Sequence, residues 1–258
     1  REQRDQEMKI GLITLLPEMF AALSDYGICG RAIRDGIVEL NLVNPRDFTA
    51  DKHRTVDDKP FGGGPGMLMK TEPLVAAIRA TKEALTERSG SVPKVVYLSP
   101  QGVKVNQEKV VIEAQAESLI LLCGRYQGID QRVLESEIDE EWSLGDFVIS
   151  GGEFAAMAIV DAMIRRQAGA LGDSESAMQD SFEEGLLHCP EYTRPQSFEG
   201  HDVPSVLLSG DHAAIKRWRH KQALGTTWRK RPDLLDAREL TSEQNDLLKE
   251  YQKEHGDQ

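Results

Sequence analysis

Leu119-Ile120-Leu121-Leu122-Cys123-Gly124-Arg125-Tyr126-Gln127-Gly128-Ile129-Asp130 carries an aliphatic run straight into a loop with two glycines. A short unbroken apolar run bounded by turn residues reads as a strand buried on both faces. Open α/β sheets bind their ligands just beyond such strand ends. The chain repeats the arrangement twice. Lys94-Val95-Val96-Tyr97-Leu98 runs into Ser99-Pro100-Gln101-Gly102, and Phe147-Val148-Ile149 runs into Ser150-Gly151-Gly152-Glu153. Three strand ends followed by small residues predict one crevice that holds a small, flat, polar ligand by main-chain contacts.

Working outward, Ile10 to Leu16 predicts the first strand. Pro17 suits the first turn of a helix, with Met19, Phe20 and Leu23 at helical spacing. Ile37 to Leu42 alternates as a second strand that ends at Pro45. Arg46 to Lys59 is polar and reads as a long loop, and glycines deny Phe61 to Met67 any regular form. Helices are predicted over Thr71–Glu87, with Leu74, Ala77, Ile78 and Leu85 inward, and over Gln107–Glu117. Alternating strand and helix imply an α/β fold with a mostly parallel sheet covered on both faces, over residues 8–167. Residues 168–184 are rich in small and acidic side chains and predict a mobile linker. Residues 185–258 read as a small helical domain. Its first helix is capped by Asp211 and runs to Gly225, with Ile215 and Trp218 inward and Arg217 and Lys221 outward. Its second spans Thr241–Gln252, with Leu247, Leu248 and Tyr251 on one face.

The 258 residues are 40% hydrophobic and 29% charged, the composition of an ordinary globular protein. No apolar run approaches the ~20 residues of a membrane span. Arg1 to Glu7 is wholly polar, cannot be the apolar core of a secretory signal, and reads as a leader or remnant. Cys29, Cys123 and Cys189 are an odd number without CxxC spacing, which predicts reduced, buried thiols in a cytoplasmic protein. The net charge of −12 argues on average against a nucleic-acid partner. The charge is uneven, however. Lys216, Arg217, Arg219, Lys221, Arg229, Lys230 and Arg231 lie between His212 and Pro232 without one acid, interrupted by Trp218 and Trp228. A local basic patch binds phosphates even on an acidic protein. From charge alone, a solvated helix face fits equally well.

Several chemistries lack their motifs. Gly62-Gly63-Gly64-Pro65-Gly66 has no Gly-Lys-Ser/Thr ending, and no GxGxxG fingerprint occurs. The six histidines are scattered, with no HExxH and no Cys-His cluster, so a zinc site is not expected. There is no GxSxG elbow.

Five strings occur in order: Arg54-Thr-Val-Asp-Asp-Lys-Pro-Phe-Gly-Gly-Gly-Pro-Gly-Met67, Tyr97-Leu-Ser-Pro-Gln-Gly102, Cys123-Gly-Arg-Tyr-Gln-Gly-Ile-Asp130, Gly145-Asp-Phe-Val-Ile-Ser-Gly-Gly-Glu153, and Asp180-Ser-Phe followed by Cys189-Pro-Glu-Tyr-Thr-Arg-Pro195. With these the chain closely resembles the bacterial tRNA (guanine-N1)-methyltransferase family, of the trefoil-knotted SPOUT class, from Met8 to the C-terminal helices. The resemblance implies a homodimer with active sites shared between subunits, which methylates ring N1 of the guanine just 3′ of the anticodon in tRNA, using S-adenosyl-L-methionine. The knot is implied by the family alone, since knots are essentially absent from folds in general.

Carried over by motif, the methyl donor is expected at Tyr97, Leu98, Ser99, Pro100, Gly124, Tyr126, Gly128, Ser143, Leu144, Gly145, Asp146, Phe147, Val148, Ile149, Gly151 and Gly152. The family match points to Asp180 as the general base that removes the N1 proton. It points to Arg165 as the cation that holds the charge spreading onto O6. The resemblance also implies a magnesium requirement, although no ligand cluster marks a site. Three positions depart from the family pattern: Gln127 replaces a carboxylate, Phe147 a tyrosine and Ala155 a proline. A related knotted enzyme acting on another base or ribose, and a non-catalytic RNA-binding protein, are the alternatives.

Overall fold

A computed structural model of the protein describes residues 7–172 and 180–256. The chain divides into two compact units, Arg1–Ser174 and Glu175–Gln258. In the first, strands β1 (Met8–Ile13), β2 (Val38–Val43), β3 (Asp57–Asp58), β4 (Leu68–Met69), β5 (Lys94–Lys104), β6 (Ser118–Cys123) and β7 (Glu140–Ser143) alternate with helices. The helices are α1 (Ala21–Ser24), α2 (Gly27–Arg34), α3 (Thr71–Ser89), α4 (Gln107–Glu113), α5 (Gln131–Glu137) and α6 (Glu153–Ile164).

Five strands form one sheet in the order β2-β1-β6-β5-β7, and every pairing is parallel. β6 lies at its centre with all six residues buried, which is why its sequence is a continuous apolar run rather than an alternation. Leu119 and Leu121 face one core, with Ile10, Leu12 and the α6 residues Ala156, Ile159, Val160 and Met163. Ile120 and Leu122 face the other, with Val95, Tyr97 and the α3 residues Leu74, Ala77, Ile78 and Leu85. The periodicity expected for α3 is thus met, and Gly90 ends the helix in the left-handed region with φ 78°.

β5 carries an irregularity that matters for the site. Leu98 and Val103 both pair with Trp142 of β7, so Ser99 to Gly102 are extruded from the register as a bulge.

Several expectations are corrected. Phe147-Val148-Ile149 is not a strand: all three are exposed, and the strand before them is β7. Two glutamates hide β7 in the sequence. Glu140 is neutralised by Lys94 and Lys109 at 2.7 and 2.8 Å, and Trp142 Nε1 donates to it at 2.7 Å. Pro17 opens a 3₁₀ turn, Pro17–Phe20, rather than an α-helix. The Arg46–Lys59 stretch contains a 3₁₀ turn over Pro45–Phe48 and the strand β3, which pairs antiparallel with β4. The helix after β5 ends at Glu113, short of Glu117.

The second unit holds a two-stranded hairpin, β8 (Ser197–Phe198) and β9 (His201–Asp202), and helices α7 (His212–Lys230), α8 (Pro232–Asp236) and α9 (Ser242–His255). Asp211 caps α7 by accepting from the amides of Ala213 and Ala214. Thr241 and Gln244 form a capping box on α9. Contrary to expectation, α7 does not stop at Gly225. A Cβ there would lie 2.3 Å from the Tyr251 ring, so this glycine lets α9 approach rather than ending α7. Leu186, Leu224 and Leu247 form the small core. Of the expected linker, residues 173–179 lie outside the described residues. Residues 180–186 form turns, with Phe182 at φ 76° and its amide donating to Leu186 O at 2.7 Å. No described helix is long and apolar enough to cross a membrane.

Candidate active site

The bulge within β5 and the loops beyond the carboxyl ends of β6 and β7 enclose a cavity of about 290 Å³. The first wall is the bulge, where Ser99 Oγ accepts from the Gln101 amide at 3.1 Å. The second is Gly124 to Gly128. Tyr126 holds φ 62° and Gly128 φ 114°, conformations that fold the loop back on itself. The amide of Gln127 donates to Met67 O at 2.9 Å and that of Met69 to Gly128 O at 3.0 Å, which ties this loop to the end of the glycine-rich stretch. The third wall runs from Ser143 to Gly152. Its end is pinned to the second where the Gly152 amide donates to Gly124 O at 3.0 Å. A Cβ on Gly152 would meet Cys123 Cα at 2.7 Å, so backbone packs directly on backbone there.

A buried polar clamp holds these loops. Glu153 is fully buried at the start of α6; it accepts from Thr14 Oγ1 at 2.8 Å and pairs with Arg125 at 2.9 Å. Arg125 also donates to Ser150 O at 3.3 Å, linking the second and third walls. Tyr97 is buried under Gly124 and Gly128, and burial, then the charge of Glu141, pushes its hydroxyl up to about 12. It is therefore a neutral donor at physiological pH. Burial likewise raises the Cys123 thiol well above its ordinary value, so that thiol is inert.

Of the sixteen residues expected around the donor, all but Asp146 line this cavity. Asp146 points to solvent and pairs with Lys104. Arg125, Trp142 and Ser150 also line it and were not singled out, as do Gln127 and Ala155, which were noted only as departures from the family pattern. Their neighbours in the motifs were the available signal.

Arg165 lies elsewhere in the same unit, at the C-terminal end of α6, while Gly152 lies at its start. Ala155, also on the cavity wall, stands ten residues and about 15 Å along the helix from Arg165. Beside it, Cys29 donates to Asp161 at 2.9 Å, and burial followed by Asp161 raises that thiol to about 12. Asp180 belongs to the second unit, where it is exposed and lines a separate cavity of about 800 Å³ with His188, Cys189, Lys216 and Arg217.

The basic run is only partly available. Lys221 is buried, not outward; its ammonium donates to Glu250 at 3.0 Å and Glu254 at 2.8 Å. Arg217 pairs with Glu250 at 2.6 Å, Arg231 with Asp233 at 2.7 Å, and Arg219 with Glu191 at 3.7 Å. Lys216, Arg229 and Lys230 are exposed and pair with no acid among the described residues.

The family profile described as tRNA (Guanine-1)-methyltransferase TrmD matches residues 8–237. A tRNA (guanine-N(1)-)-methyltransferase of Photorhabdus laumondii is 57% identical over 96% of this chain and 98% of its own length. Like-named proteins of Escherichia fergusonii and Yersinia pestis are 57% and 56% identical, over 97% and 96% of this chain and 97% and 99% of their own lengths. The chain belongs to the tRNA (guanine-1)-methyltransferase family.

For a member of this methyltransferase family the metal question turns on donor chemistry. Among the described residues the cavity's lining contains no carboxylate, and the position where a carboxylate was expected is Gln127. Magnesium needs hard oxygen ligands, usually including a carboxylate, and this wall does not provide them. Among the described residues, the side chains that converge as metal ligands are instead His188, Cys189 and Glu191, in the second unit. That grouping corrects the expectation of no Cys-His cluster.

Proposed function

We propose that this methyltransferase moves the methyl group of S-adenosyl-L-methionine to ring N1 of the guanine immediately 3′ of the anticodon in tRNA. One observation carries the reading: motif residues from three separated loops converge on one cavity of backbone and apolar walls. Such walls suit an adenosine. Leu98, Leu144 and Ile149 offer apolar contact to a flat base, and the loop main chain offers hydrogen bonds to its edge. The donor supplies a methyl carbon already bonded to a positively charged sulfur. The residues of the chain do the remainder. Asp180 takes the proton from guanine N1, freeing the lone pair that attacks. Arg165 donates to O6, where the resulting negative charge spreads. The cavity fixes the methyl in line with N1.

The placement of Arg165 favours a composite site. It stands about 15 Å along α6 from the nearest wall residue of that helix, too far to act there on a shared base. In a homodimer the partner subunit supplies the missing side chain. The packing of Gly152 on Cys123 supports a threaded crossing at this point, as the trefoil knot of the SPOUT class requires. We further assign residues 8–167 to donor binding, 168–184 to a linker that delivers Asp180, and 185–258 to tRNA affinity, in the cytoplasm. Magnesium has no step in this reading.

The test is methyl transfer to an unmodified tRNA transcript, followed by digestion and mass spectrometry. One-methylguanosine at the position 3′ of the anticodon is expected. Ribose methylation, another base, or donor binding without transfer would overturn the reading. Mixing Arg165→Ala and Asp180→Ala subunits tests the shared site. With Arg165 and Asp180 of one site drawn from different chains, a verified heterodimer carries one intact site and one doubly altered site and should regain part of its activity; none regained would contradict that arrangement.

A further inference from the structure

We propose that His188, Cys189 and Glu191 bind one divalent transition-metal ion of the zinc class. The three residues lie in a four-residue stretch that Pro190 stiffens by fixing its φ. His188 Nε2 and Glu191 Oε1 are 2.9 Å apart, and Cys189 Sγ lies 4.0 Å from the first and 3.9 Å from the second. Tetrahedral bonds of about 2.0–2.3 Å place ligand atoms roughly 3.3–3.6 Å apart. The observed triangle straddles that separation, so shifts of about half an ångström admit the ion.

The donor set selects the metal. A thiolate and an imidazole favour zinc over magnesium or calcium, which prefer oxygen alone. The thiolate and carboxylate together cancel the charge of a dication. Glu191 is held from behind, since its other oxygen, Oε2, lies 3.7 Å from Arg219; the ion takes the place of the hydrogens by which His188 Nε2 and Cys189 Sγ now meet Oε1. His188 and Cys189 line the second unit's cavity, so water can serve as the fourth ligand. On binding, the Cys189 S–H bond breaks and its proton passes to solvent. A sulfur–metal bond forms, the ion sheds bound water, and no oxidation state changes. The His188 amide donates to Ser181 Oγ at 2.9 Å, so an ion here would tether the chain next to Asp180. The inference does not depend on a catalytic role for Asp180.

The experiment titrates the full chain, reduced by a phosphine, with Co²⁺ as the spectroscopic stand-in. One equivalent should produce a near-ultraviolet thiolate-to-cobalt charge-transfer band with the visible bands of a four-coordinate ion, and Zn²⁺ should abolish both. Cys189→Ser should lose the charge-transfer band. His188→Ala and Glu191→Gln should each weaken Co²⁺ binding by tenfold or more. Circular dichroism of every variant checks the fold, and Cys29→Ser controls for a second buried thiol. No charge-transfer band in the wild type, a band that survives Cys189→Ser, or unchanged affinity in His188→Ala would overturn the site.

Discussion

The loop-lined cavity of the first unit and the basic helix of the second differ in what holds their functional groups. The cavity presents backbone, fixed by strands whose side chains fill two cores. The helix and the residue after it present long side chains, and four of their seven cations are engaged by acids. Main-chain polarity positioned by a core cannot be neutralised by a neighbouring residue. Surface charge can, and a tally along the sequence overstates what is free to meet a phosphate.

The largest effect that tests this contrast is chemical. Asp180→Asn keeps the shape but cannot take a proton, and we expect single-turnover methyl transfer to fall by roughly 10²–10⁴. Donor affinity should be unchanged, because the cavity belongs to the other unit. A rate within about threefold of wild type, below the usual general-base effect, would remove Asp180 from the mechanism.

Gly152→Val attacks the cavity itself. Its Cβ meets the β6 backbone at 2.7 Å, and backbone cannot swing aside as a side chain can. Overpacking of this kind costs about 1–3 kcal/mol. We expect both a lower melting temperature and a donor Kd raised by about tenfold or more, the equivalent of ~1.4 kcal/mol. Calorimetry showing unchanged affinity in the folded variant would displace the donor from this cavity.

On the basic helix, substitutions should separate by pairing. Neutralising Lys216, Arg229 and Lys230 should reduce the log–log salt slope of tRNA binding by roughly 0.9 for each phosphate that no longer meets a cation. Lys221→Met should leave that slope alone and cost the second unit about 1–2 kcal/mol, because the charged hydrogen bonds to Glu250 and Glu254 disappear. Equal slopes for the triple variant and wild type would place RNA binding elsewhere.

The smallest effect is in acid. Burial pushes the Glu140 carboxyl up, but hydrogen bonds from Lys109, Lys94 and Trp142 outweigh it and hold the group at about 2, against an ordinary 4.5. Arg217 and then Lys221 hold Glu250 at about 2 as well. A folded carboxyl below its unfolded value stabilises the fold above pH 4.5, and the contribution fades as pH falls towards 2. Glu140→Gln should therefore flatten the acid limb of the melting temperature over that range. An unchanged limb would mean the Glu140 network contributes nothing.

The sequence revealed some elements more readily than others, for identifiable reasons. β6 was readable because a strand buried on both faces has no polar position to confuse the pattern. β7 was not, because its glutamates look solvent-facing until Lys94 and Lys109, distant in sequence, arrive to pair with them. The exposed Phe147-Val148-Ile149 drew the strand assignment instead. The cavity's glycines were readable since their need is local. The burial of Lys221 was not, since its partners lie 29 and 33 residues away on α9. The metal-ligand grouping escaped a search for spaced motifs because its members are nearly adjacent.

The bulge in β5 makes the enzyme's pocket unusually tolerant of change in one respect. Pairing with β7 is interrupted at Leu98 and resumes at Val103, both against the same tryptophan. Residues inserted or deleted between those two points change the loop without shifting the frame of either strand. The return point is fixed, because a Cβ on Gly102 would lie 2.4 Å from the β7 backbone. Evolution, or an engineer, can thus vary the length and chemistry of Ser99 to Gln101 to reshape the pocket for a bulkier or altered donor, while the sheet beneath keeps its frame.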